Sequence, residues 1–179
     1  MTFALEPDYQ RKSLLDSMTA MHRLVGHFCH GATQEQADYV HDPSQFTLRE
    51  VVAHLADWDE IWLERSQRIV YETTPILGNI NETTLARINN YTTIDMDSSL
   101  ARFRHARRKL VDFLVPQTDK ALRRTAFHAT QGTMTLSTLI RLIMSHDTYH
   151  IAQLHNYNNA WFTKTAKAAT MHPRLDPID

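Results

Sequence analysis

The chain has 179 residues, 42% of them hydrophobic, which suits one compact domain, and its 4 Gly and 6 Pro fall well short of the roughly 12% of average usage, against a fold of many short strands. Nineteen Lys and Arg against twenty Asp and Glu leave a net charge of −1, so there is no global electrostatic case for nucleic acid or an anionic membrane surface as partner. A lone cysteine, Cys29, excludes an intrachain disulfide, the opening MTFALEPDYQRK lacks a signal-peptide pattern, and no uncharged apolar run nears the roughly 18 residues of a membrane span, so the expected location is the cytoplasm.

From about Asp8 to Cys29, Leu14, Leu15, Met18, Met21, Leu24, Val25 and Phe28 recur at three- and four-residue steps, which predicts an amphipathic helix. A polar passage from Gly31 to Pro43 has room for one helical turn. Thr47-Leu48-Arg49-Glu50 then reads as a capping box, in which Thr hydroxyl and Glu carboxylate satisfy orphan N–H groups at a helix start. The second long helix carries Val51, His54, Leu55, Trp58, Ile61, Trp62 and Arg65 inward and runs to about Val70, before Thr74-Pro75 and Gly78-Asn79 break it.

Asn81 to Asn90 predicts a short helix inside an extended connection, and long connections permit parallel neighbours. The third long helix opens near Asp97-Ser98-Ser99, turns Leu100, Phe103, Ala106, Leu110, Phe113 and Leu114 inward, and stops before Pro116. Its Arg102, Arg104, Arg107, Arg108 and Lys109 read as a solvated face, with an anionic ligand or partner as the alternative. Thr135 caps a fourth helix that reaches about Asn158, and the tail from Trp161 to Asp179 reads as irregular. With no strand pattern and no repeat, the chain is expected to be all-α, one four-helix-bundle domain over residues 1–179 with its helical core at about 8–158.

Eleven histidines stand out. His146 and His150 lie at i and i+4 on one helix face, within reach of a single metal ion. Both continue the inward stripe of Leu139, Ile143 and Tyr157, and two buried imidazoles need partners that a shared metal supplies. His54 lies in phase with Val51, Trp58 and Ile61, so a packed bundle brings it opposite the pair. Three imidazoles leave Zn²⁺ an open position, as in catalytic sites, and equally suit Ni²⁺, Fe²⁺ or Cu²⁺. A hydrogen-bonded core histidine is the plain alternative for His54.

The run Thr47-Leu48-Arg49-Glu50-Val51-Val52-Ala53-His54-Leu55-Ala56-Asp57-Trp58, followed much later by His146-Asp147-Thr148-Tyr149-His150-Ile151-Ala152-Gln153-Leu154, resembles the DinB superfamily, including its YfiT-like metal-dependent hydrolases. The likeness spans about residues 8 to 158. It implies an up-down-down-up bundle with a long crossover between the second and third helices, a divalent-metal site at His54, His146 and His150, and a homodimer. It also implies a hydrolase, or a transferase that uses a low-molecular-weight thiol; zinc or nickel is the foremost metal, with iron or manganese as further candidates. A small molecule is the expected substrate.

Phase adds two supporting candidates. Gln153 shares the face of His146 and His150, so its amide can orient a ligand or a water; Asp57, one turn past His54, can hold that ring's free nitrogen. Trp58 and Trp62 read as core or as a cavity wall. Cys29 reads as a small buried hydrophobe, with a Cys/His site at His27 and His30 as the minor alternative. His22, His41, His105, His128, His155 and His172 gain no role from spacing. His146-Asp147-Thr148-Tyr149-His150 differs from the zincin motif in carrying Asp for the Glu base, and the glutamates of a di-iron bundle are missing. The competing class is a non-catalytic bundle that binds metal or a small ligand in stress or sensing.

Overall fold

The computed structural model describes residues 7–171, and its frame is four long helices: α1 (Pro7–Cys29), α3 (Leu48–Tyr71), α5 (Met96–Leu114) and α7 (Leu136–Met171). Short helices α2 (Gln34–Ala37), α4 (Glu82–Ile88) and α6 (Asp119–Leu122) occupy the connections. The start of α3 is closed as its sequence requires: Thr47 N donates to Glu50 Oε2 at 2.8 Å and Glu50 N to Thr47 Oγ1 at 3.4 Å, a reciprocal cap. Asp95 caps α5 by accepting from Ser98 N at 2.7 Å, and Thr135 caps α7 by accepting from Thr138 N at 3.1 Å.

Around the bundle α3 packs on α5, α5 on α1, α1 on α7 and α7 on α3. The core divides into two apolar clusters. One holds Leu15, Met18, Trp62, Leu110, Leu114, Leu139 and Ile143; the other holds Val25, Val51, Leu55, Phe103, Leu154 and Tyr157. Each fully buried side chain of this kind contributes on the order of 1.5–3 kcal/mol. Between the two clusters, at the level of residues 54–59 of α3, 107 of α5 and 146–150 of α7, the interior turns polar. That layer holds the histidines and a buried ion network, Arg107 with Asp59 and Asp147.

Three features depart from the sequence-based expectation. The fourth helix continues through Trp161 to Met171: Trp161 extends the buried steps of His150, Leu154 and Tyr157, and Ala160, Lys164, Ala166 and Lys167 are strong helix formers with no proline before Pro173. Residues 172–179 of the expected tail, His172 included, lie outside the described residues. A small sheet is also present: β1 (Ile76–Leu77) pairs in parallel with β2 (Thr125–His128), which pairs antiparallel with β3 (Gly132–Thr135). Strands of two to four residues are too short for an alternating pattern to register; Gly132, at φ 72°, opens β3 directly after the turn from β2. Third, Arg107 is 1% exposed and belongs to the interior, not to a solvated basic face. No helix of the described residues is long and apolar enough to cross a membrane.

Candidate metal centre

The middle of α3 and of α7 face each other across the polar layer. His54 Nε2 lies 3.1 Å from His146 Nε2, which in turn lies 3.2 Å from His150 Nε2, and the three ligand atoms sit within 4.8 Å of one another. Among the described residues this is the group of His, Cys, Asp or Glu side chains able to hold a metal ion. His54 and His150 are buried and His146 is half-buried. The helical phase of the three residues is sufficient to explain the meeting, since each continues an apolar stripe that must pack inward.

Hydrogen bonding fixes the chemistry of one ring. His150 Nδ1 lies 2.8 Å from Gln153 Oε1, while Gln153 Nε2 donates to Gln45 Oε1 at 2.9 Å. The amide oxygen therefore faces the imidazole, Nδ1 carries the proton, and Nε2 presents a lone pair to the cluster. Burial holds His54 down at about 2 and His146 at about 3, with the neighbouring histidines adding to it, and burial lowers His150 as well. All three rings are neutral near pH 7, the form that binds a metal. A divalent cation suits this donor set: it accepts three converging lone pairs, which hydrogen bonds among three neutral rings cannot satisfy together. The Nδ1 atoms of His54 and His146 are buried without a partner, so the supporting contact from Gln153 serves His150 alone.

Asp57 does not support His54. Its carboxylate accepts from Asn89 Nδ2 at 2.5 Å, Tyr91 Oη at 2.6 Å and Arg102 Nη2. Three donors from the α4–α5 region capture it, because a three-residue step carries the short side chain round α3 towards α5. Asp147, between the two α7 histidines, also points away from them and accepts from Arg107 Nη2 at 2.8 Å. Arg107 binds Asp59 bidentately as well, at 2.7 and 2.8 Å, so one guanidinium locks α3, α5 and α7 at the level of the histidines. Burial holds the Asp59 carboxyl above the usual carboxylate range, against the pull of Arg107. Spacing carried a signal for this network: Phe103, Arg107, Leu110 and Leu114 form one stripe, as do Leu55, Asp59, Trp62 and Ile69, and Ile143, Asp147, His150 and Leu154.

A cavity of about 230 Å³ opens beside His146, bordered by Trp58, Trp62, Arg65 and His128. The Trp58 and Trp62 rings lie 5.4 and 5.9 Å from the His146 ring and 4.5 Å from each other, so they wall the cavity as well as filling the core. Cys29 is buried in the apolar cluster of Val25, Val51 and Leu55, with its thiol pushed up to about 12 by burial, and among the described residues it does not join the histidine group.

Comparison with known proteins agrees with this arrangement. The chain is 28% identical over 123 residues to YfiT of Bacillus subtilis (strain 168), covering 68% of this chain and 69% of that protein. Its fold superposes on the solved structure of YfiT from Bacillus subtilis with a TM-score of 0.80 at 22% identity, over 89% of this chain and 91% of that one. That protein is described as "a probable metal-dependent hydrolase with an unusual four-helix bundle topology". The family model of the DinB superfamily matches residues 18–154, a range that contains all three histidines: the chain belongs to the DinB superfamily.

Proposed function

We propose that this protein is a divalent-metal-dependent hydrolase of a small molecule, with His54, His146 and His150 as its metal ligands. The observation that carries the reading is the convergence of three neutral imidazoles at one point, next to a cavity that reaches His146. A cation held by three imidazoles keeps a coordination position open and supplies Lewis acidity there. The chain's own residues do the rest. Gln153 holds the proton of His150 on Nδ1 and so keeps its Nε2 free. Arg107 fixes Asp147, and with it the register of the two α7 histidines against α3. Trp58 and Trp62 exclude water from one side of His146.

Zinc or nickel is the metal this reading favours, in a single domain of up-down-down-up order, for which the long connection from Glu72 to Asp95 gives room. A thiol-dependent transferase is the second reading. The cavity favours it by offering aromatic walls with a basic side chain, as an anionic thiol requires. Chelator-stripped protein assayed on ester and amide panels separates the readings. Turnover restored by zinc or nickel and abolished in His150→Ala supports the hydrolase; turnover that requires an added thiol transfers the assignment to the second reading; stoichiometric metal with neither activity leaves a metal-binding bundle.

A further inference from the structure

We infer that the cavity beside His146 holds a carboxylate group of the substrate, with Arg65 as its principal partner and His128 as a second donor. This rests on the metal-dependent reading only for what reacts at the other end of the molecule. Arg65 is 5% exposed, and among the described residues it forms no ion pair. Its Nη2 donates to Gly78 O at 2.7 Å, and its guanidinium lies over Trp58 and Trp62, 5.4 and 5.3 Å from the ring centroids. The adjacent Glu64 is exposed and pairs with Arg68, while Glu82, an exposed residue that also lines the cavity, forms no ion pair with Arg65 among the described residues. A desolvated guanidinium without a carboxylate is costly, and aromatic faces offset only part of that cost.

Further donors in the same place lack acceptors. His128 is 8% exposed, and its Nδ1 lies 3.3 Å from Thr130 N and 3.4 Å from Gln131 N. Those backbone donors leave the ring proton on Nε2, which has no partner among the described residues. The indole N–H groups of Trp58 and Trp62 are also buried without acceptors. Burial and the neighbouring Arg65 lower the His128 pKa, so the ring is a neutral donor and the guanidinium supplies the charge. An acceptor-rich, planar anion answers this set, and a carboxylate matches the guanidinium fork. The cavity is smaller than the roughly 300–1,000 Å³ of complete ligand sites, which fits one acidic arm of a molecule whose other end reaches the histidines. The small sheet gains a purpose here, since β2 ends on His128 and Gly78 follows β1.

Succinate and its neutral counterpart succinamide are the probes. They are titrated into full-length protein, zinc-loaded and chelator-stripped, with the indole N–H resonances of Trp58 and Trp62 as readout. Saturable shifts with succinate, at least tenfold weaker binding of succinamide, and a tenfold or greater loss in Arg65→Gln at unchanged zinc stoichiometry are expected. His128→Gln, which keeps the guanidinium and its Gly78 contact, is expected to lose about threefold and serves if Arg65→Gln does not fold. Equal binding of acid and amide, or unaltered succinate binding in the folded variants, overturns the proposal. Succinate binding to the stripped protein that persists where zinc fails to bind sinks the metal reading and leaves this one; zinc binding with no preference for the acid does the reverse.

Discussion

Replacing Arg107 by Met removes the cation from between two buried carboxylates. Arg107, Asp59 and Asp147 are each 1% exposed, and the guanidinium gives two bonds to Asp59 and two to Asp147, all at 2.8 Å or less. Breaking a buried pair by deleting one partner costs about 3–5 kcal/mol. At roughly 2–4 °C per kcal/mol for a chain of this size, the melting temperature should fall by about 6–20 °C. The loss has a pH signature. Asp59, already held above the usual carboxylate range by burial, loses the counter-charge that opposes that rise, so the folded variant binds more protons than the folded wild type and its deficit grows as pH increases. Urea denaturation of wild type and variant at pH 5.5 and pH 8 reads both effects, because the histidine contributions cancel in the difference. Arg104→Met, three residues earlier and exposed, is the control and should change stability by no more than about 0.5 kcal/mol. A deficit below about 1 kcal/mol, the range of surface ion pairs, or one that does not grow with pH, refutes the network as described.

Three further outcomes follow from the site. Gln153→Leu removes the acceptor from His150 Nδ1 and should weaken metal binding about 10–100-fold, measured by competition with a chromophoric chelator; unchanged affinity contradicts the orienting role. Asp57→Ala leaves the buried Tyr91 hydroxyl without its acceptor and should cost about 1–3 kcal/mol with metal affinity unchanged, whereas a tenfold loss of affinity would restore Asp57 as a support of His54. In the metal-free protein, His54 and His146 are held by burial at about 2 and about 3 against an ordinary 6.5. The unfolded chain therefore binds more protons in that window. Stability is complete above pH 6.5 and declines as pH falls towards 3, by about 1.4 kcal/mol per unit for each fully shifted ring. His54→Leu should flatten that slope in chelator-stripped protein, and an identical slope contradicts the burial.

The helices and the histidine cluster were legible because both follow one rule, that residues at three- and four-residue steps share a face. His54 with Trp58, and His146 with Ile143 and His150, obeyed it. The same rule pointed to Arg107, but its neighbours Arg104, Arg108 and Lys109 made a basic run that masked the stripe of Phe103, Leu110 and Leu114. Trp161 was hidden similarly, by the polar Asn156, Asn158 and Asn159 before it. What lay out of reach depends on tertiary placement. Which nitrogen Asp57 would meet depended on Asn89, Tyr91 and Arg102 arriving from later in the chain, and His128 reaches the cavity only because a strand pair too short to show a period carries it there. Arg65 was read as inward-facing, yet its lack of a carboxylate is a property of the packed bundle.

The central claim is that three imidazoles from α3 and α7 share one cation. Anomalous diffraction at the metal absorption edge, from crystals of protein loaded with zinc or nickel, tests it most directly. The account predicts one peak in contact with the Nε2 atoms of His54, His146 and His150, and its loss in His54→Ala; a peak at other side chains, or one that survives that substitution in place, contradicts it.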